Sequence, residues 1–121
     1  MSSTQYSTRS ANAAAAVQSA DPKAFQAFHD LLYANQPAEN SSGLPDSQLI
    51  DYAVQAGAAR TAVESAITSQ KYVTWVAAQT DTFSSKGFNG TPTVVLDGKQ
   101  LGSSSIPSPA ELKAAVDAAA K

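Results

Sequence analysis

Gly90-Thr91-Pro92-Thr93, followed at once by Val94-Val95-Leu96-Asp97-Gly98-Lys99, is the stretch on which the fold reading turns. A Thr-Pro bond that feeds a short apolar β run ending in Asp-Gly predicts a strand entry and a tight hairpin. Asp-Gly tolerates the positive φ angles that two-residue turns require. The strands fall at residues 93–97 and about 99–102. Val94, Val95 and Leu96 are apolar without alternation, the pattern of a strand covered on both faces. Downstream, residues 103–105 read as a flexible exit. Ser108-Pro109-Ala110-Glu111 is a capping box, in which the Ser hydroxyl and the Glu carboxylate each satisfy an amide at a helix start. The helix it opens has Leu112, Ala115, Val116 and Ala119 as its inner face.

Upstream of the stretch the text is helical. Residues 1–8 are polar and β-tolerant, and Ser10 to Ser19 reads as an Ala-rich helix with Ala13, Ala14 and Val17 three and four apart. Asp21-Pro22 combines a capping oxygen with a residue that needs no donor in the first turn. The helix it starts carries Phe25, Phe28, Leu31 and Leu32 and ends near Asn35. Residues 37–43 are a loop by composition. Asp46 to Ala56 places Leu49, Ile50, Ala53 and Val54 inward, with Asp46 as the cap and Gly57 as the left-handed stop. Ala62, Val63, Ala66 and Ile67 mark a short helix. Tyr72, Trp75, Val76, Gln79 and Phe83 mark one face of a longer helix closed by Gly87, a face read as core. The expected class is α+β and mostly helical, in one domain of residues 1–121.

Composition narrows the function. A chain of 121 residues can bury a core without disulfides or metal. It contains no cysteine, hence no thiolate nucleophile and no disulfide. The formal charge of −2 comes without any basic run, so the footprint of a nucleic-acid binder is missing. No apolar run approaches the length of a membrane span or of a signal-peptide core. The 24 alanines point to helices with small, closely approached faces.

Three strings carry a resemblance: Phe25-Gln26-Ala27-Phe28-His29-Asp30-Leu31-Leu32-Tyr33-Ala34-Asn35-Gln36, then Leu49-Ile50-Asp51-Tyr52-Ala53 with Gln55-Ala56-Gly57, then Gly87-Phe88-Asn89-Gly90-Thr91-Pro92-Thr93-Val94. Together they resemble the DsbA-like thiol:disulfide oxidoreductases of thioredoxin-like fold. In that family a helical insertion separates a first half bearing Cys-x-x-Cys from a second half of hairpin plus helix. This chain resembles the insertion, at about residues 10–87, and the second half, at about 88–121. The resemblance implies a cis Thr91-Pro92 bond, with Thr91 and Pro92 contacting extended polypeptide substrates by β-addition. It also implies a parent acting outside the cytoplasm or in the bacterial cell envelope.

The departures shape the expectations. The initial strands and the Cys-x-x-Cys helix would lie before Met1, so the chain is expected to be a fragment or truncated member that is redox-inactive by itself. Many extracytoplasmic relatives carry an extra cysteine pair in the insertion, where this sequence has alanines. The alternative is a non-catalytic thioredoxin-like module that binds peptides or proteins. No cofactor and no metal are expected. With its neighbouring strand missing, residues 93–97 are expected to self-associate or to be covered by residues 2–7.

Other residues carry less. His29 adjoins Asp30, but neighbours on a helix diverge by about 100° and are not expected to form a relay, so His29 reads as a packing or surface group. Asp46, Asp51 and Asp81 have no metal-ligand spacing. Asn40-Ser41-Ser42 and Asn89-Gly90-Thr91 match the glycosylation acceptor pattern, which often arises by chance.

Overall fold

Asp21 and Pro22 divide what would otherwise be one long N-terminal helix. In the computed structural model, which describes residues 4–102 and 105–121, helix α1 (Tyr6–Ala20) stops there. The Asp21 carboxylate accepts the Lys23 amide at 3.0 Å. A single 3-10 turn, Pro22–Ala24, then leads into α2 (Phe25–Ala34). Three further helices follow, α3 (Asp46–Gln55), α4 (Arg60–Thr68) and α5 (Val73–Ser85). The hairpin strands are β1 (Val94–Leu96) and β2 (Lys99–Leu101), and α6 (Pro109–Ala119) closes the described chain. The chain is mostly helical with one small antiparallel sheet, as expected. It forms two compact units, Met1–Asp81 and Thr82–Lys121.

In the first unit the small face of α1 is what lets its neighbours close in. Ala13, Ala16 and Val17 are buried with Phe28 of α2, Leu49, Ile50 and Ala53 of α3, and Val63 and Ile67 of α4. Asn12 is wholly buried among them. Its Nδ2 donates to the carbonyls of Ala66 and Ile67 at 3.3 and 3.4 Å, and its Oδ1 accepts the Tyr72 amide at 2.8 Å. A side chain of α1 thus adds a second donor to carbonyls at the end of α4 that already accept the Lys71 and Gln70 amides, and it supplies the Tyr72 amide with its acceptor. Helix α3 stops as expected at Gly57, where Ala58 N–H reaches Ala53 C=O and Gly57 N–H reaches Val54 C=O, both at 3.0 Å.

The loop before α3 is tied to α1 by Arg9. Its Nη1 donates to the Leu44 carbonyl at 2.9 Å and to Asp46 Oδ1 at 2.8 Å, and Thr4 Oγ1 donates to the Ser42 carbonyl. Beneath this clamp Tyr6 lies against Gly43. Burial pushes the Tyr6 hydroxyl above its usual pKa, against the opposing pull of the Arg9 charge. Gly43 has φ +71, and a Cβ placed there would stand 2.3 Å from Tyr6 Cγ. Gly43→Ala should therefore cost about 1–3 kcal/mol, through an overpacked ring and a strained backbone. A urea melt of the variant that overlays the wild type would contradict this.

Several expectations need correction. Helix α1 begins at Tyr6, four residues earlier than read, because packing of Tyr6 on the core outweighs local β tolerance. Residues 2 and 3 of the expected covering strand lie outside the described residues, and Tyr6 and Ser7 are helical. The cap of α3 is Pro45; Asp46 makes no cap bond, because its carboxylate is turned to Arg9. Val54 is exposed rather than inward. Trp75 is 54% exposed, not core, and α5 has no buried residue. From the aromatic face read there, only Tyr72 packs against the core. The periodicity was real, but α1 to α4 cover only the entrance of that helix.

The second unit has no buried residue among those described. Asp97 and Gly98 take φ +51 and +77, the type I′ turn that the Asp-Gly pair predicts. The pairs are Val94↔Leu101, Val95↔Gln100 and Leu96↔Lys99. Val95 is 46% exposed between half-buried Val94 and Leu96, so the strand alternates instead of being covered on both faces. Val116 and Ala119 likewise face solvent, leaving Leu112 and Ala115 half-buried. The capping box forms in full. Ser108 N–H donates to Glu111 Oε2 at 2.8 Å, and Glu111 N–H to Ser108 Oγ at 3.3 Å. These bonds lower the Glu111 pKa, the Ser108 backbone amide first and its side chain second. The support they give the helix is complete above the ordinary carboxylate pKa and fades as pH falls through the lowered one. Residues 103 and 104, where the sequence places a flexible exit, lie outside the described residues.

Candidate functional site

Residues 87–93 join the end of α5 to β1, and both ends of this segment are fixed. At the first end, Gly87 N–H donates to Ser84 C=O at 3.0 Å and Phe88 N–H to Phe83 C=O at 3.3 Å. This closure brings the Phe83 and Phe88 rings to 5.3 Å between centroids, the apolar contact that accompanies such helix ends. At the other end, Thr93 Oγ1 donates to the Gly90 carbonyl at 2.5 Å, just before the ladder begins at Val94.

Between these anchors the main chain is open. Asn89, Gly90, Thr91 and Pro92 are all exposed, and the Thr91–Pro92 peptide is cis. Among the described residues no hydrogen bond engages the Thr91 amide or carbonyl. Proline at 92 brings no donor, so the position contributes a carbonyl only. Beyond the loop, β1 has β2 as its sole strand neighbour among the described residues. With Leu96 and Lys99 flanking the two-residue turn, Val95 falls at a pair whose own N–H and C=O point away from β2. The segment thus offers a run of unpaired main-chain groups, which is what an added extended chain needs.

Thr91 and Pro92 lead directly, through Thr93, into this open edge. No cluster of His, Cys, Asp or Glu that could hold a metal ion occurs among the described residues. No helix among them is long and apolar enough to cross a membrane.

His29 lies on α2, in the other unit. Contrary to the expected divergence, His29 Nδ1 comes within 3.3 Å of Asp30 Oδ1, both groups being exposed. Two neighbours hold that geometry: the Tyr33 ring, 4.8 Å from His29 between centroids, and Gln26 Nε2, which donates to Asp30 Oδ1 at 2.9 Å. No hydroxyl of the described residues bonds the imidazole, so the pair has no nucleophile to activate. Asn12 and Arg9, which sequence reasoning passed over, are structural. Each acts on partners more than thirty residues away, and no local pattern signals such bonds.

A family model for thioredoxin matches residues 2–118. Among solved structures, the chain is similar to the oxidised form of Mtb DsbA, with 32% sequence identity and a TM-score of 0.77 over 96% of this chain and 58% of that one. It is similar to the reduced DsbA from Mycobacterium tuberculosis at 30% identity and a TM-score of 0.75, over 93% of this chain and 55% of the other. The chain spans somewhat more than half the length of those structures. No curated protein sequence matches it.

Proposed function

The chain belongs to the DsbA-like, thioredoxin-fold family, and from that premise we propose that it supplies the peptide-binding loop and helical insertion of a DsbA-like thiol:disulfide oxidoreductase. About residues 10–87 form the insertion, and about 88–121 the proline loop, hairpin and C-terminal helix. Thr91 and Pro92 are the substrate-contacting pair. An extended polypeptide adds to the exposed main chain at Thr91, and its backbone rather than its side chains supplies the hydrogen bonds. The observation that carries this reading is the open Thr91 main chain, held between two anchored ends. The setting is extracytoplasmic, as the family resemblance suggests.

Exchange itself proceeds by attack of a thiolate on a disulfide sulfur. Residues 1–121 contain no cysteine, so the thiols of any such reaction come from outside this sequence. The purified chain is expected to catalyse neither insulin reduction by dithiothreitol nor oxidation of a dithiol peptide. Rates above the uncatalysed background would contradict that. The lack of sulfur chemistry equally favours a second reading, a non-catalytic module that holds extended polypeptides by the same loop.

Both readings predict main-chain pairing. In a calorimetric titration, a thiol-free extended peptide should bind, and the same peptide with backbone amides N-methylated should not. Equal heats from the two peptides would remove the basis for pairing at Thr91.

A further inference from the structure

We propose that Asn89-Gly90 is a site of spontaneous deamidation, and that the reaction disables the adjacent loop. The second half of this proposal rests on the peptide-binding reading above; the first does not. The reaction needs an asparagine followed by a residue whose amide nitrogen is free to attack the side-chain amide. The Gly90 nitrogen bonds to Asn89 Cγ and gives up its proton, the bond from Cγ to the side-chain nitrogen breaks, and that nitrogen leaves, with the proton, as ammonia. Water then opens the resulting cyclic imide at either carbonyl. The products are an aspartate in the normal chain or an isoaspartate whose main chain runs through Cβ.

The four asparagines of the sequence differ in this respect. Asn12 is wholly buried within α1, where the following amide belongs to the helix. Asn35 is followed by Gln36, whose amide donates to Tyr33 C=O at 3.4 Å, and Asn40 by Ser41, whose amide donates to Ala38 C=O at 3.2 Å. Asn89 is exposed and is followed by glycine. The Gly90 amide makes no hydrogen bond among the described residues, and the space where its Cβ would stand is open within 4 Å. The Gly90 nitrogen is therefore free of a competing hydrogen bond, and its residue carries no side chain to crowd the attack.

The consequence follows from position. Isoaspartate at 89 adds one atom to the main chain two residues before Thr91, and either product adds a negative charge. Opposite Asn89, the Thr93 hydroxyl fixes the Gly90 carbonyl, so the extra length is taken up within the segment that presents the Thr91 main chain. A register set by that segment is lost.

The test is to age the folded chain in mildly alkaline buffer and digest it with trypsin. Cleavage after Lys86 and Lys99 releases residues 87–99, and cleavage after Lys23 and Arg60 releases residues 24–60 with Asn35 and Asn40. The 87–99 peptide is expected to gain one mass unit while the 24–60 peptide keeps its mass. Gly90→Ala, whose Cβ meets nothing within 4 Å, should slow the gain at least severalfold. A folded chain whose 87–99 peptide keeps its mass, while the synthetic 87–99 peptide gains under the same conditions, would overturn the proposal. The aged fraction, separated by charge, should lose binding of the thiol-free extended peptide, whereas retained binding would overturn the second half alone. Fresh chain that binds no peptide would overturn the functional reading and the second half with it, leaving the mass gain to decide the first.

Discussion

Phe28→Ala is expected to destabilise the chain by about 3–5 kcal/mol, because it empties the site of the one aromatic among the fully buried residues described. Phe28 is fully buried, and its neighbours in the cluster are alanines, valines and other aliphatic residues from α1, α3 and α4. Small side chains that are already in contact through close helix approach leave little room for collapse, so most of the lost volume remains as a cavity. Against a typical total of about 5–15 kcal/mol this is a large share, and the urea midpoint should fall accordingly. A loss below about 1 kcal/mol would mean that the helices repack or that Phe28 is not central.

Asn12→Leu is the second large effect. The substitution keeps the branched shape and removes three hydrogen bonds; the Ala66 and Ile67 carbonyls keep the Lys71 and Gln70 amides, while the Tyr72 amide loses its acceptor. An amide stranded in this way costs more than the average bond contributes, and about 1–3 kcal/mol is expected. A distinctive readout accompanies the stability loss: the Tyr72 amide, now unpaired, should exchange with solvent much faster than amides in the middle of α1. A variant as stable as the wild type, with Tyr72 still protected, would show that the turn after α4 is held by something else.

These two residues also show what could be read from the sequence. Phe28 sat in a helical stripe after an Asp-Pro start, and both the helix and its burial were legible because periodicity and capping are local. The same holds for the Asp97-Gly98 turn and the Ser108 to Glu111 box, where the chemistry of adjacent residues dictates the geometry. Asn12 in a run of alanines gave no signal, since its meaning lies in partners 54 to 60 positions away. Asp46 reads as a cap for a related reason: local propensity favours it, but Arg9, 37 residues distant, holds the carboxylate. Trp75 lies on the stripe yet is exposed, because a stripe identifies the apolar side of a helix without saying whether anything covers it. The Thr91-Pro92 loop was found by its residue string, while its openness came from the structure.

The exposed strand edge fits the same view. Val95 turns its own N–H and C=O to the free side of β1, and its side chain is 46% exposed on a face of the hairpin. Such an edge can pair with an extended peptide or with another copy of itself, so self-association through residues 93–97 is the expected competitor of the proposed peptide binding at high concentration.

The central claim is that an extended polypeptide pairs with the main chain beside Pro92. Amide chemical-shift mapping of the labelled chain, titrated with a thiol-free extended peptide, tests it most directly. The account predicts that the largest shifts fall on Gly90, Thr91, Thr93 and Val95, and that they vanish when the peptide backbone is N-methylated. Shifts centred instead on the exposed aromatic residues of α2 or α5, with residues 90–95 unmoved, would contradict it.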